Sequence, residues 1–243
     1  MQNELIFCEE FHVMEHDCDW NQKMTPGAFL RMAQQIATDD GNRVGMDRKY
    51  YEDNHTAFLL ARLALRFDRV PRAGEMLTLK TFPEGAKRAS YKRVTIAFDE
   101  NGEQVALVDS RWILVDTQTR RIMRRPPEGF LRIPFLPEVS EELDTTIREA
   151  DVLESCGDLT ARYSICDENG HVNNTRYADA AGDVLPLSCL RDQSITEMVI
   201  RYHKELPAGE TAELERGELE PGCWYIRGTR QGKPCFEVNL RLG

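Results

Sequence analysis

The sequence predicts an α+β fold made of two tandem copies of one unit, each a long helix packed against a curved antiparallel β-sheet. Three observations carry this expectation. Each half of the 243-residue chain runs strand, helix, then several strands. The strand segments repeat their apolar residues at the period of a half-buried sheet. Short polar signatures recur: Asp17, Asp19, Asn21 and Thr25 fall over Asp167, Asn169, His171 and Thr175 at a constant offset of 150 residues, and at shorter offsets Gly74-Glu75 falls over Gly209-Glu210 and Gly102 over Gly232.

The first copy opens with an extended run near Leu5 to Val13. Thr25-Pro26 then reads as an N-cap with proline in the first helical turn. Phe29, Met32, Ala33, Ile36 and Ala37 fall at helical spacing until Gly41, and a second short helix follows near Asp47 to Asp53. Ala61, Leu63, Leu65 and Phe67 alternate with Arg62, Arg66 and Asp68, which is strand period. Further strands are expected at Leu77 to Phe82, Ser90 to Phe98 and Val105 to Val115, with Asn101-Gly102 as a hairpin turn.

From Thr117 to Asp158 the character changes, with Pro126, Pro127, Pro134 and Pro137 ahead of the acidic run Glu138 to Asp151, so this stretch reads as a linker or a wrapping segment. The second copy follows: a strand near Ala161 to Ile165, a helix from close to Asn174, and strands near Ser194 to His203, Thr211 to Glu218, Cys223 to Thr229 and Cys235 to Leu242, with Pro221-Gly222 at a turn. The organisation expected is an N-terminal unit over residues 1–125, a linker over 126–158 and a C-terminal unit over 159–243. A helix on a curved antiparallel sheet, duplicated in one chain, is what two tandem hotdog domains require, their sheets pairing as two subunits of a dimer would.

Composition narrows the function. With 41% hydrophobic and 30% charged residues a real core is expected. The net charge of −10 argues against nucleic-acid binding, which needs a basic surface. No apolar run suggests a membrane span, and the acidic N-terminus (Glu4, Glu9, Glu10) lacks a basic leader, so a cytoplasmic location is expected. Seven scattered cysteines without a Cys-x-x-Cys pair suggest neither a disulfide framework nor a thiolate metal site, and most read as small buried hydrophobes. Two basic clusters, Lys87, Arg88, Lys92 and Arg93, and Arg120, Arg121, Arg124 and Arg125, are either solvated faces or a local platform for an acidic partner.

The densest group of chemically useful side chains is Asp167-Glu168-Asn169-Gly170-His171-Val172-Asn173-Asn174, at the strand-to-helix junction of the second copy. It places an acid, an amide and an imidazole within five residues, beside the backbone N–H groups of a helix start, which suit the oxyanion formed when a thioester carbonyl is attacked. Asn173 and Asn174 read as capping residues. Asp167, Asn169 and His171 together read as functional, because capping needs only one of them. The first copy keeps Asp17 but has Asn21 where the second has His171, so one half reads as retired from catalysis.

The chain resembles the acyl-ACP thioesterases of plants and bacteria over nearly its whole length: the helix after Asp17-Cys18-Asp19, the strand Ala57 to Phe67, Ser110-Arg111-Trp112 with Arg120-Arg121 beyond it, and His171-Val172-Asn173-Asn174 to Tyr177. In the plant members an Asp-x-Asn-x-His motif is joined by a Glu on a later strand, in a Tyr-Arg-Arg-Glu-Cys context. Tyr202-His203-Lys204-Glu205-Leu206 matches that stretch, so the resemblance adds Glu205 to the candidate site, while Leu206 in place of the cysteine removes a thiol nucleophile there. It further implies hydrolysis of fatty acyl-ACP, ending chain elongation in fatty acid biosynthesis. An apolar acyl tunnel is implied chiefly in the first half beneath the Phe29 to Ala37 helix, and an acidic carrier protein as partner for the basic clusters. In this reading Asp167 attacks the carbonyl or activates water, Glu205 orients or deprotonates the water, and Asn169 and His171 position groups and substrate. No cofactor is implied, and Asp167 and His171 lack further metal ligands at recognisable spacing. Open alternatives are an acyl-CoA thioesterase, a non-catalytic acyl-binding module and a hydroxyacyl dehydratase of the same superfamily; the sequence also leaves open whether two chains pair as a homodimer.

Overall fold

The structure is a computed structural model describing residues 5–87, 89–132, 135–137 and 140–243. Of the residues singled out above, Glu4, Arg88, Pro134 and Glu138, and the side chain of Lys87, lie outside it. The first repeat comprises β1 (Phe7–His12), α1 (Pro26–Arg43), α2 (Arg48–Asp53), β2 (Thr56–Phe67), β3 (Met76–Lys87), β4 (Ser90–Phe98) and β5 (Gln104–Asp116), with the two-residue β6 (Arg121–Ile122) on β5. The second comprises β7 (Glu154–Thr160), α3 (Arg176–Asp183), α4 (Leu187–Leu190), β8 (Ile195–Tyr202), β9 (Thr211–Glu220), β10 (Cys223–Arg230) and β11 (Lys233–Leu242).

Helix α1 starts where its sequence dictates: Thr25 Oγ1 accepts the N–H of Ala28, and Pro26 supplies the preset φ of the first turn. Phe29, Leu30, Ala33 and Ile36 form its buried stripe. Asp47 caps α2 by accepting the Tyr50 N–H. The hairpin after β4 is closed by Asp99, whose Oδ1 accepts the Asn101 and Glu103 N–H groups, with Gly102 at φ 80°.

Among the described residues the strands form one antiparallel sheet in the order β1-β3-β4-β5-β2-β8-β11-β10-β9-β7, with β6 off this path beside β5. The order within each half is the same, which is the duplication made visible. The halves join at a seam where Arg62 to Arg66 of β2 pair with Glu197 to Arg201 of β8. Helices α1 and α3, the latter only eight residues where the sequence predicts a long helix, lie on one face, and the main core between them and the sheet is continuous across the seam, from Phe29 and Leu65 to Met198 and Phe236. The Pro-rich segment wraps. It bridges Glu84 through Leu136, hydrogen-bonds Glu84 through Ser140, and reaches Asn239 through Arg148.

One strand differs from its expected place. Residues 161–165 form a loop and a 3-10 turn (Tyr163–Ile165), while the edge strand is β7 at Glu154–Thr160, paired with β9. Its polar, mostly exposed sequence lacks the apolar alternation of a strand, and only the partner identifies it.

Candidate active site

The Asp167 to Asn174 loop is built by backbone hydrogen bonds before any side chain acts. The N–H of Asp167 donates to His171 O (2.9 Å), that of Gly170 to Asp167 O (3.0 Å), and Asp167 Oδ1 accepts the Asn169 N–H (2.9 Å). Gly170 sits at φ 76°. The β8–β9 connection is stitched alongside by Val172 N–H to Leu206 O (3.0 Å) and Ala208 N–H to Gly170 O (2.9 Å). That stitching brings Glu205, 34 residues away in sequence, to the imidazole: Asp167 Oδ1 lies 3.6 Å from His171 Nδ1, and Glu205 Oε1 lies 3.7 Å from His171 Nε2. Asp167 and His171 are both largely buried and Glu205 is exposed, so the imidazole stands between a sheltered and an exposed carboxylate.

The first repeat contains the same loop. Asp19 N–H donates to Lys23 O, Asp19 Oδ1 accepts the Asn21 N–H, Met24 N–H donates to Pro71 O, and Gln22 takes the left-handed position at φ 59°. The structural offset is therefore 148, placing Asp19 over Asp167, Asn21 over Asn169 and Lys23 over His171. This corrects the offset of 150 read from the sequence, which set Asp17 over Asp167 and Asn21 over His171. Val70 stands opposite Glu205. The first repeat thus retains the acid and the amide and has lost the imidazole and the second carboxylate.

The N-cap position of α3 falls on Thr175, whose side chain makes no capping hydrogen bond, and Asn173 instead forms an Asx turn ahead of it, its Oδ1 accepting the Thr175 N–H and hydroxyl. Asn174 does more: its carbonyl accepts the Tyr202 hydroxyl (3.0 Å), and with Asn169, Thr175 and Tyr202 it lines a cavity of about 820 Å³. Asp167, His171 and Glu205 stand behind Asn169 and do not line it. The cavity extends over the first repeat's sheet between α1 and α2, walled by Leu30, Ala33, Leu63, Val108 and Trp112. Phe29 and Ile36 of α1 are core instead. Behind the site, burial raises the Tyr177 hydroxyl well above the usual tyrosine range, opposed by a backbone hydrogen bond with Leu206, so Tyr177 stays neutral.

Two features escaped the sequence. Arg48 of α2 reaches across the repeats to Glu168 (2.6 Å), tying the candidate loop to the first half. The other concerns the basic clusters: Lys92 is buried between Glu84 (2.7 Å) and Asp109 (3.6 Å), and Arg93 is bound to the buried Asp40 (2.9 Å), so these two offer no surface platform. Arg120, Arg121, Arg124 and Arg125 are exposed and, among the described residues, make no ion pair.

Comparison with known proteins agrees with this architecture. Residues 4–132 match the model of the acyl-ACP thioesterase N-terminal domain, and residues 149–232 that of the C-terminal domain. The chain is 24% identical over 241 residues to a chloroplastic palmitoyl-acyl carrier protein thioesterase of Arabidopsis thaliana, covering 92% of this chain and 57% of that one. It is 21% identical over 220 residues to the Gossypium hirsutum counterpart, covering 84% of this chain and 53% of the relative. It therefore spans little more than half the length of these relatives. Among solved structures, an acyl-ACP thioesterase from Bacteroides thetaiotaomicron superposes with a TM-score of 0.87 at 19% identity over 100% of both chains. The 12:0-ACP thioesterase from Umbellularia californica gives 0.82 at 17%, covering 98% of this chain and 97% of that one. The fold is the tandem hotdog, and with both domain models matched in order along one chain, this chain belongs to the acyl-ACP thioesterase family.

Proposed function

We propose that the chain hydrolyses the thioester of a fatty acyl group carried on acyl carrier protein, releasing the free acid and ending elongation. The observation that carries this reading is the Asp167–His171–Glu205 line standing behind Asn169 at one end of a large, mostly apolar cavity. Such a cavity takes an acyl chain out of water, and the line supplies a base where the chain's thioester would lie. The names of the relatives favour acyl carrier protein over coenzyme A as the carrier.

The Asn169 side chain is placed to stabilise the oxyanion, since Asn169 is the member of the Asp-x-Asn-x-His motif on the cavity wall. Glu205, exposed and facing His171, holds and deprotonates the attacking water together with the imidazole. On the opposite side the Val172 carbonyl, 3.2 Å from His171 Nδ1, orients the ring, and the Asp167 carboxylate at 3.6 Å places its charge there. Water adds to the carbonyl carbon as its proton passes to the base. The tetrahedral intermediate then collapses with cleavage of the C–S bond, and the proton returns to the departing thiolate. General-base hydrolysis is favoured over covalent attack by Asp167, because Asp167 Oδ1 is already held by the Asn169 N–H while Glu205 is the solvent-exposed carboxylate of the three groups.

The test is thiol release from a panel of acyl-ACP and matching acyl-CoA substrates, native against His171→Ala. Loss of general-base assistance is expected to lower kcat by about 10²- to 10⁴-fold on acyl-ACP. Faster turnover of acyl-CoA would reassign the carrier, and hydrolysis unaffected by His171→Ala would sink the assignment of the site.

A further inference from the structure

The cavity ends in charge. Across the sheet it runs from the seam strand β2 over β5 to β4 and β3: Asn169, Asn174 and Tyr202 stand at the seam end, and Arg93, Thr95 and Pro83 at the other. Arg93 shares the inner face with Ser110 and Leu63, its cross-strand neighbours. With strands about 4.8 Å apart, Arg93 on β4 lies roughly 10 Å from β2, along the path an extended chain entering at Asn169 would take.

The hydrogen bonding at this end is uneven. Thr81 and Thr95 satisfy one another and Val94 O, and Ser110 donates to Arg93 O while accepting from Trp112. Asp40, fully buried on α1, is shared by two cations, Arg43 on Oδ1 (2.8 Å) and Arg93 on Oδ2 (2.9 Å). One carboxylate faces two guanidiniums, so a net positive charge remains at the end of an apolar cavity. The interactions of Arg93 with Asp40 and Thr81 both run through Nη1. A guanidinium offers five N–H donors, so others remain that need water or a polar group.

Resting on the acyl-cavity reading above, we propose that Arg93, held by Asp40, is the end-stop that sets the length of alkyl chain the cavity accepts. It acts by desolvation rather than by bulk. A methyl end pushed onto Arg93 strips water from a cation and returns no hydrogen bond, which is costly in a buried site. A chain that ends short of Arg93 lies against Leu30, Ala33, Leu63 and Val108 and leaves the guanidinium hydrated. One that reaches it with a hydroxyl returns an acceptor to the guanidinium and escapes the penalty.

Binding tests this without requiring turnover. A bound fluorescent fatty acid is displaced from the native chain, Arg93→Met and Arg93→Lys by saturated fatty acids of increasing length and by ω-hydroxy acids of the same lengths. Arg93→Met nearly preserves volume, and it leaves Asp40 paired with Arg43, so no carboxylate is orphaned. For the native chain, affinity should rise with length and then fall about tenfold at the first alkyl chain that reaches the charge, while the ω-hydroxy acid of that length stays tight. Arg93→Met should move the fall to longer alkyl chains and erase the hydroxyl's advantage; Arg93→Lys should keep both. An unchanged length limit in Arg93→Met overturns the end-stop, as does equal native affinity for alkyl and ω-hydroxy acids at the limit. The latter comparison decides alone should Arg93→Met fail to fold. No binding at any length overturns the acyl-cavity reading itself, and the end-stop with it.

Discussion

Lys23 and His171 occupy the same place in two copies of one loop, and the comparison separates architecture from chemistry. Asp19 and Asp167 both close their loops by accepting the N–H of the asparagine two residues on, so that contact belongs to the turn. Only Asp167 also faces an imidazole. Asp167→Asn keeps an acceptor for the turn and removes the charge behind His171; it should leave the melting temperature nearly unchanged while lowering kcat at least tenfold, whereas Asp19→Asn should alter neither, as parallel melts and kinetics would show. Away from the site, burial alone would raise the Glu237 carboxyl, but hydrogen bonds from His203 (2.6 Å) and Tyr225 (2.8 Å) outweigh it and hold it below its ordinary value. A depressed carboxylate contributes stability above its unfolded pKa, about 4.3, and loses it as pH falls through the folded value. Glu237→Gln should therefore cost about 1–2 kcal/mol near neutral pH, with the deficit shrinking below about pH 4 in melts across pH. The motif residues were legible in the sequence, but their register against the first copy was not. Asp17 and Asp19 are the same residue type two positions apart, and only the backbone hydrogen bonds choose between them.

At the scale of elements, the two repeats differ in how their inner faces are filled. Helix α1 has 18 residues and α3 has 8. Over the second sheet the space is closed by aromatic packing, with Tyr177 and Phe236 ring centroids 4.5 Å apart and Tyr202 beside Tyr177 at 5.8 Å. Gly228 permits it: a Cβ there would stand 2.1 Å from the Phe236 ring. Gly228→Ala should push this fully buried ring out of place and cost about 1–3 kcal/mol, read as a lower denaturant midpoint; unchanged stability would mean that the ring has room to move. Strong periodicity made α1, β2, β4 and β11 legible from sequence. The polar edge strand β7 was not, because its register comes from β9.

Across the whole molecule, one row of charged residues crosses the face of the sheet away from the helices, pairing neighbour to neighbour from Glu84 through Lys92, Arg111, Arg62, Arg201 and Glu237 to Arg227. The wrapping segment sets Glu142 on Arg111 of this row and Glu141 on Arg66 beside it. The exposed arginines Arg120 and Arg121 lie beyond the end of β5, close in sequence to Thr117 of the cavity wall. Reversing both charges should raise KM for acyl-ACP several-fold at low salt, leave kcat unchanged and flatten the salt dependence; an unaltered KM would remove them from docking.

The two repeats, the first long helix and most of the strands can be read from the chain alone, and Asp167, Asn169 and His171 stand out there as a candidate set. These follow from local periodicity, caps and motif spacing, which act over a few residues. That the loop of the second repeat stands at a cavity over the first, that Lys92 is buried and Arg93 bound to a buried Asp40, and that Glu205 meets His171 is visible only in the folded chain. Each of those depends on which distant strands pair and which helix covers them, and contacts between distant segments leave no spacing in the chain.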